Sequence, residues 1–128
     1  MVAGIGADLL KKSRLVQLPA EAPFFRKAYT VAEQAEAEGR DRPLDYFCSR
    51  FSGKEAVMKA MRADPDHVRL NEIEILTGRN GRPYVTLQGG MAALAAERGI
   101  TRVEISLSGE TDYVLAFAVA LTDRAEEE

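Results

Sequence analysis

The run Tyr113–Leu121 is apolar at every position, and so uniform a segment needs cover on both sides. It falls far short of the roughly 20 residues that span a bilayer, so it reads as a strand buried on both faces. Just upstream, Val103, Ile105 and Leu107 alternate with Glu104, Ser106 and Ser108, the period of a strand with one wet face. Glu72–Thr77 and Pro83–Gln88 flank Arg79-Asn80-Gly81-Arg82, and Asn-Gly between extended runs signals a hairpin. Val2–Asp8, short, apolar and glycine-containing, reads as a further buried strand that ends at a carboxylate.

Helical signals lie between these strands without a regular strand-helix repeat. Lys11–Leu18 reads as a brief helix stopped by Pro19. Thr30 and Glu33 have capping-box spacing, with Gly39 as the stop. Pro43 suits the first turn of a longer helix, Leu44 to about Arg62, which carries Phe47, Phe51, Val57, Met58 and Met61 at three- and four-residue intervals. Gly89–Gly99 reads as a short Ala-rich helix. The pattern predicts the α+β class: a compact single domain, residues 1–128, with antiparallel strands around a long central helix. From about 122 to 128 a flexible acidic tail is expected.

Composition removes several functions. A net charge of −3 gives no field that would steer the chain onto nucleic acid or acidic lipid. Cys48 is the sole cysteine and His67 the sole histidine, which excludes an intrachain disulfide and argues against a four-ligand zinc site. His67 is expected to be exposed and Cys48 to pack. No basic segment precedes the apolar start, so the expectation is no secretory signal, no membrane association and a cytoplasmic location.

The chemistry-bearing residues are ambiguous one at a time. Asp8 follows Gly4-Ile5-Gly6-Ala7, and glycines admit close approach of a backbone or a phosphate. Taken alone, Asp8 fits a helix cap at least as well as a metal ligand. Glu55 and Lys59 are one helical turn apart, with Arg62 nearly two turns from Glu55, and such spacing also suits a solvated salt bridge. Against that bland reading, Arg50, Lys54, Lys59 and Arg62 surround one glutamate on one helix, a patch suited to a polyphosphate with a bridging metal.

Together the motifs resemble a family. Gly4-Ile5-Gly6-Ala7-Asp8-Leu9 with Arg14, and Arg50–Ala60 (RFSGKEAVMKA), are similar to the two signature motifs of holo-acyl-carrier-protein synthases, the small trimeric phosphopantetheinyl transferases. Phe25–Thr30 with Glu33, Asn80-Gly81-Arg82-Pro83 and Val103–Ser108 extend the resemblance from Val2 to Leu121.

The resemblance implies the phosphopantetheinyl transferase fold and a magnesium-dependent transfer of phosphopantetheine from coenzyme A to a serine of an apo acyl carrier protein. Adenosine 3',5'-bisphosphate is the other product. It implies Asp8 and Glu55 as metal ligands, and Glu55, Lys59 and Asp8 as the catalytic set. Arg42, Arg50, Lys54, Lys59 and Ser108 are implied in coenzyme A binding, and Arg14 and Arg26 in carrier-protein binding. A homotrimer with intersubunit active sites is implied as well.

Two positions depart from the family pattern. Gly109 and Glu110 follow Ser108 where many relatives have a histidine, with Glu110 a possible compensating acid. Met61–His67 replaces a glycine-rich loop. There Pro65 lacks an amide donor and Asp64 and Asp66 repel phosphate, partly offset by Arg62 and Arg69. These departures keep an alternative open, a catalytically impaired homologue that binds coenzyme A or carrier protein without transfer. Composition alone also admits an oligomeric regulatory domain whose cationic helix meets an acidic protein.

Overall fold

Asp8 lies inside a strand, not at its end. In the computed structural model, which describes residues 1–123, β1 runs Val2–Lys11, β4 runs Ile100–Gly109 and β5 runs Tyr113–Thr122. They form an antiparallel sheet in the order β1-β5-β4. β1 outlasts its expected end because Leu9, Leu10 and Lys11 pair with Leu115, Val114 and Tyr113. β2 (Ile73–Thr77) and β3 (Pro83–Leu87) form a separate hairpin. In its turn Gly81 takes a φ of 81°, the left-handed conformation open to glycine.

Among the described residues, five α-helices, α1 (Ser13–Val16), α2 (Pro23–Ala28), α3 (Val31–Glu38), α4 (Pro43–Met61) and α5 (Gly89–Glu97), and a short 3-10 helix at Leu70–Glu72 complete the fold. Thr30 and Glu33 close both bonds of a capping box on α3, and Pro43 stands in the first turn of α4. Arg62 ends α4 in the left-handed region with φ 54°, and the Arg98 guanidinium donates to the free carbonyls of Met61 and Arg62.

Helix α4 lies on the sheet along a seam of small residues. Register puts Gly4, Ala120 and Val103 in one row, Gly6, Ala118 and Ile105 in the next, and Asp8, Ala116 and Leu107 in a third. A Cβ on Gly6 would collide with the Ala56 carbonyl oxygen, and one on Gly4 with that of Ala60. The backbone approach expected of these glycines is therefore that of α4. Ala56, Val57, Ala60 and Met61 join Ile73, Ile75, Met91 and the alanines of β5 in the core.

The opposite face of the sheet corrects a second expectation. β5 is not buried on both sides: Val114, Ala116, Ala118 and Ala120 are buried, while Tyr113, Leu115 and Phe117 are exposed. Ile5 and Leu9 of β1 extend that bare face, at 63% and 64% exposure. Within one chain, the bulky residues of β5 point outward and the small ones pack on α4. Thr122 belongs to β5 and is buried, so it is not part of a tail; residues 124–128 lie outside the described residues.

Candidate functional site

Because strand residues alternate faces, Asp8 shares the helix-facing side of β1 with Gly6 and Leu10. It caps nothing, since the residue before α1 is Lys12 and makes no side-chain cap. Opposite it, α4 presents Ser52, Glu55 and Lys59, spaced to lie on one face. The buried Ser52 hydroxyl stands 2.9 Å from the Asp8 carbonyl oxygen and 2.9 Å from Asp8 Oδ2. The half-exposed Lys59 ammonium donates to the Ala7 carbonyl at 3.0 Å and pairs with Asp8 Oδ1 at 3.5 Å. Lys59 thus bridges to the strand, with no Glu55–Lys59 salt bridge formed.

The Glu55 carboxyl is held above the usual range. Burial is the main cause and the neighbouring Asp8 carboxylate adds to it, while Lys59 and Arg14 pull the other way. Two carboxylates that feel each other's charge favour a cation between them. No group of three or more metal-ligating side chains occurs among the described residues. A donor set of two carboxylates fits magnesium, which keeps waters and takes its other ligands from substrate phosphates.

Two of the expected phosphate ligands are engaged within the chain. Lys54 is fully buried and spends its three protons on Glu33 Oε1 at 2.8 Å, the Leu70 carbonyl at 3.0 Å and the Ile73 carbonyl. Its partner Glu33 also accepts the amides of Thr30 and Ile75. Arg50 donates to the Ile75 carbonyl, the Ser49 hydroxyl, the Thr77 hydroxyl and Glu36, with its guanidinium 4.2 Å from the Tyr46 ring centre. Burial pushes the Glu36 carboxyl up, but hydrogen bonds from Tyr46 and Thr77 and the charge of Arg50 outweigh it and hold it below the usual range. These cations tie α4 to α3 and the hairpin; an inward charge on a helix reads in sequence as an outward one until its buried acid is located.

The other expected residues scatter. Arg42 is exposed and, with Arg40 and the edge of Arg50, lines a shallow pocket of about 400 Å³ that also holds Asp41 and Asp45. Ser108 sits in the row of Leu115 and Leu9, on the bare side of the sheet away from Asp8. One chain does not bring it to the carboxylates. Arg14 lies near enough to act on Glu55, whereas Arg26 is farther along, lining a pocket of about 650 Å³ with Lys27 and Arg69. Glu110 accepts the Asp112 amide in the β4–β5 turn. His67 is exposed and pairs with Asp64 at 2.7 Å; Cys48 is buried. Ser52 escaped sequence reasoning although it lies inside the second motif, three residues before Glu55.

Residues 4–118 match the 4'-phosphopantetheinyl transferase superfamily. The chain is 37% identical over 123 residues to the holo-[acyl-carrier-protein] synthase of Desulforudis audaxviator, covering 94% of each. Among solved structures it is similar to the holo-[acyl-carrier-protein] synthase of Neisseria meningitidis, with 31% identity, a TM-score of 0.85, and coverage of 95% of this chain and 100% of that one. It is also similar to the Chronobacterium ammoniagenes ACPS–CoA complex, at 29% identity, a TM-score of 0.80, and coverage of 94% and 98%. With its α+β fold, its motifs and nearly its whole length in agreement, the chain belongs to the 4'-phosphopantetheinyl transferase superfamily.

Proposed function

We propose that this protein is a holo-[acyl-carrier-protein] synthase that moves phosphopantetheine from coenzyme A to a serine of an apo acyl carrier protein. The observation that carries the reading is the Asp8–Glu55 carboxylate pair flanked by Lys59, at the junction of β1 and α4. The names of its relatives and the coenzyme A complex of a structural neighbour support the same reaction.

In that reaction the serine oxygen forms a bond to the phosphorus that carries the pantetheine arm. The bond from that phosphorus to the bridging oxygen of the pyrophosphate breaks, and adenosine 3',5'-bisphosphate leaves. Asp8 and Glu55 would hold magnesium, which when bound would neutralise the pyrophosphate and stabilise charge on the leaving phosphate. Lys59 turns its exposed ammonium from Asp8 to a phosphate oxygen, and Arg42 serves the terminal phosphate. Glu55 helps take the serine proton. Arg14 and Arg26 face the acidic carrier.

A homotrimer completes the site. The outward row of Ile5, Leu9, Leu115 and Phe117 is the kind of apolar face that a neighbouring subunit covers, and it also holds Ser108. In a trimer, Ser108 of one protomer serves the carboxylates of the next. No helix among the described residues is long and apolar enough to cross a membrane, and the single buried cysteine suits a reducing cytoplasm.

The test is incubation with coenzyme A, magnesium and apo acyl carrier protein, followed by intact mass. A gain of one phosphopantetheine per carrier is expected, lost on chelation; no gain on any candidate carrier refutes the reading. A second reading, binding without transfer, draws on the loop after α4, where Asp64 carries both the Asp66 amide and His67 and stays exposed. Calorimetry that finds coenzyme A bound with no carrier modified favours it.

A further inference from the structure

We propose that Ser52 is a positioning residue that fixes the Asp8 carboxylate for the divalent cation. This rests on the magnesium reading above and goes beyond it by assigning a role to a side chain that is not itself a ligand. Three observations carry it.

Ser52 is 0% exposed in the interior of α4. Serine is a poorer helix former than alanine because its hydroxyl competes for backbone groups, and a mid-helix serine ordinarily bonds back to the carbonyl one turn earlier. This one does not. Its hydroxyl leaves the helix altogether and bonds to β1.

The partner is one residue, contacted twice. Ser52 Oγ is 2.9 Å from the Asp8 carbonyl oxygen and 2.9 Å from Asp8 Oδ2. A hydroxyl has one proton to donate, and here the two oxygens share it. Its share on Oδ2 restrains rotation of the carboxylate. Oδ1 is left on the Lys59 side, where the ammonium stands 3.5 Å away.

The spacing then links this contact to the second carboxylate. Ser52 precedes Glu55 by three residues and Lys59 by seven, so all three lie along one helix face. Gly6, two residues before Asp8, keeps that face against β1, since any side chain there would meet the backbone of Ala56. One helix thus places a ligand, Glu55, and the orienting group of the other ligand, Asp8. Groups that orient metal ligands typically contribute about 10–100-fold to metal affinity.

The experiment titrates Mn2+, as a paramagnetic stand-in for magnesium, into the full chain with coenzyme A present. Free ion is read by electron paramagnetic resonance for wild type, Ser52→Cys and Ser52→Ala. Affinity is expected to fall in that order, by about 10-fold for Ser52→Ala, because the thiol is a weak donor and the methyl none. Melting temperatures, measured alongside, should not follow this order. In turnover, the magnesium concentration for half-maximal rate should rise about 10-fold for Ser52→Ala while the rate at saturating metal stays within about 2-fold. In an Asp8→Ala background, Ser52→Ala should change Mn2+ affinity by less than about 2-fold, since the carboxylate that Ser52 holds is gone.

Wild type that binds Mn2+ alongside a Ser52→Ala protein that binds it equally well overturns this inference and leaves the magnesium reading intact. Affinities that merely track melting temperature overturn it too, by reducing Ser52 to packing. Wild type that fails to bind Mn2+ overturns the magnesium reading and this inference with it.

Discussion

Replacing Lys54 with methionine separates a structural lysine from a phosphate ligand. In the structure its ammonium is wholly buried and its three donors are taken by Glu33, Leu70 and Ile73. Removing it strands the Glu33 carboxylate, still bonded to the amides of Thr30 and Ile75, and leaves two carbonyls short of a donor. Breaking one side of a buried pair typically costs about 3–5 kcal/mol, a large share of the roughly 5–15 kcal/mol that holds a domain together. With a urea slope of about 2 kcal/mol per molar, the unfolding midpoint should drop by about 2 M. The assay is urea unfolding followed by circular dichroism, at one fixed protomer concentration because assembly adds to stability. The double variant Lys54→Met with Glu33→Gln should recover part of the loss, since the cost comes from an unpaired charge. A Lys54→Met protein with a wild-type midpoint and a raised KM for coenzyme A would refute the reasoning and restore Lys54 as a phosphate ligand.

Three further outcomes follow from the same geometry. Gly6→Ala should destabilise the chain by about 1–3 kcal/mol or more, because its methyl meets the Ala56 carbonyl and α4 must lift from β1; thermal melts check this. Carboxyl NMR of metal-free protein should place Glu55 above the ordinary glutamate range, and Asp8→Asn should lower it only in part, because burial is the larger cause. Between the ordinary pKa and the raised one, the folded state keeps a proton that the unfolded state releases, so this group's contribution to stability falls as pH rises through that window. Phe117→Asp on the bare face of β5 should shift sedimentation from trimer toward monomer; a monomeric wild type would remove the intersubunit site.

Much of the fold was legible because it rests on local chemistry. The Thr30–Glu33 capping box, Pro43 at the start of α4 and the Asn80-Gly81 turn each depend on residues a few positions apart. The length of β1 was not, since its last residues are strand only through Tyr113–Leu115 on another strand. Nor was the burial of Lys54 and Arg50, whose acids Glu33 and Glu36 lie on α3, and whose inward turn no helical spacing reveals. Tyr113–Leu121 misled for a related reason: uniform apolarity does not say whether the second cover comes from the same chain. Within the site, two motifs agree on Asp8 and Glu55, and the structure brings their charges together. Ser52, a serine inside a helix, has no signature until the strand opposite it is known.

On the proposed reading, Asp8 and Glu55 together make a magnesium-dependent transfer centre. Single-turnover transfer to apo acyl carrier protein, compared across wild type, Asp8→Asn and Glu55→Gln over a magnesium titration, tests it most directly. Both substitutions remove charge at little steric cost, so both proteins should melt like wild type and lose at least about 100-fold in rate, the scale expected when a charged centre that stabilises the transition state is lost. Folded variants that retain near-normal, magnesium-dependent rates would contradict the account.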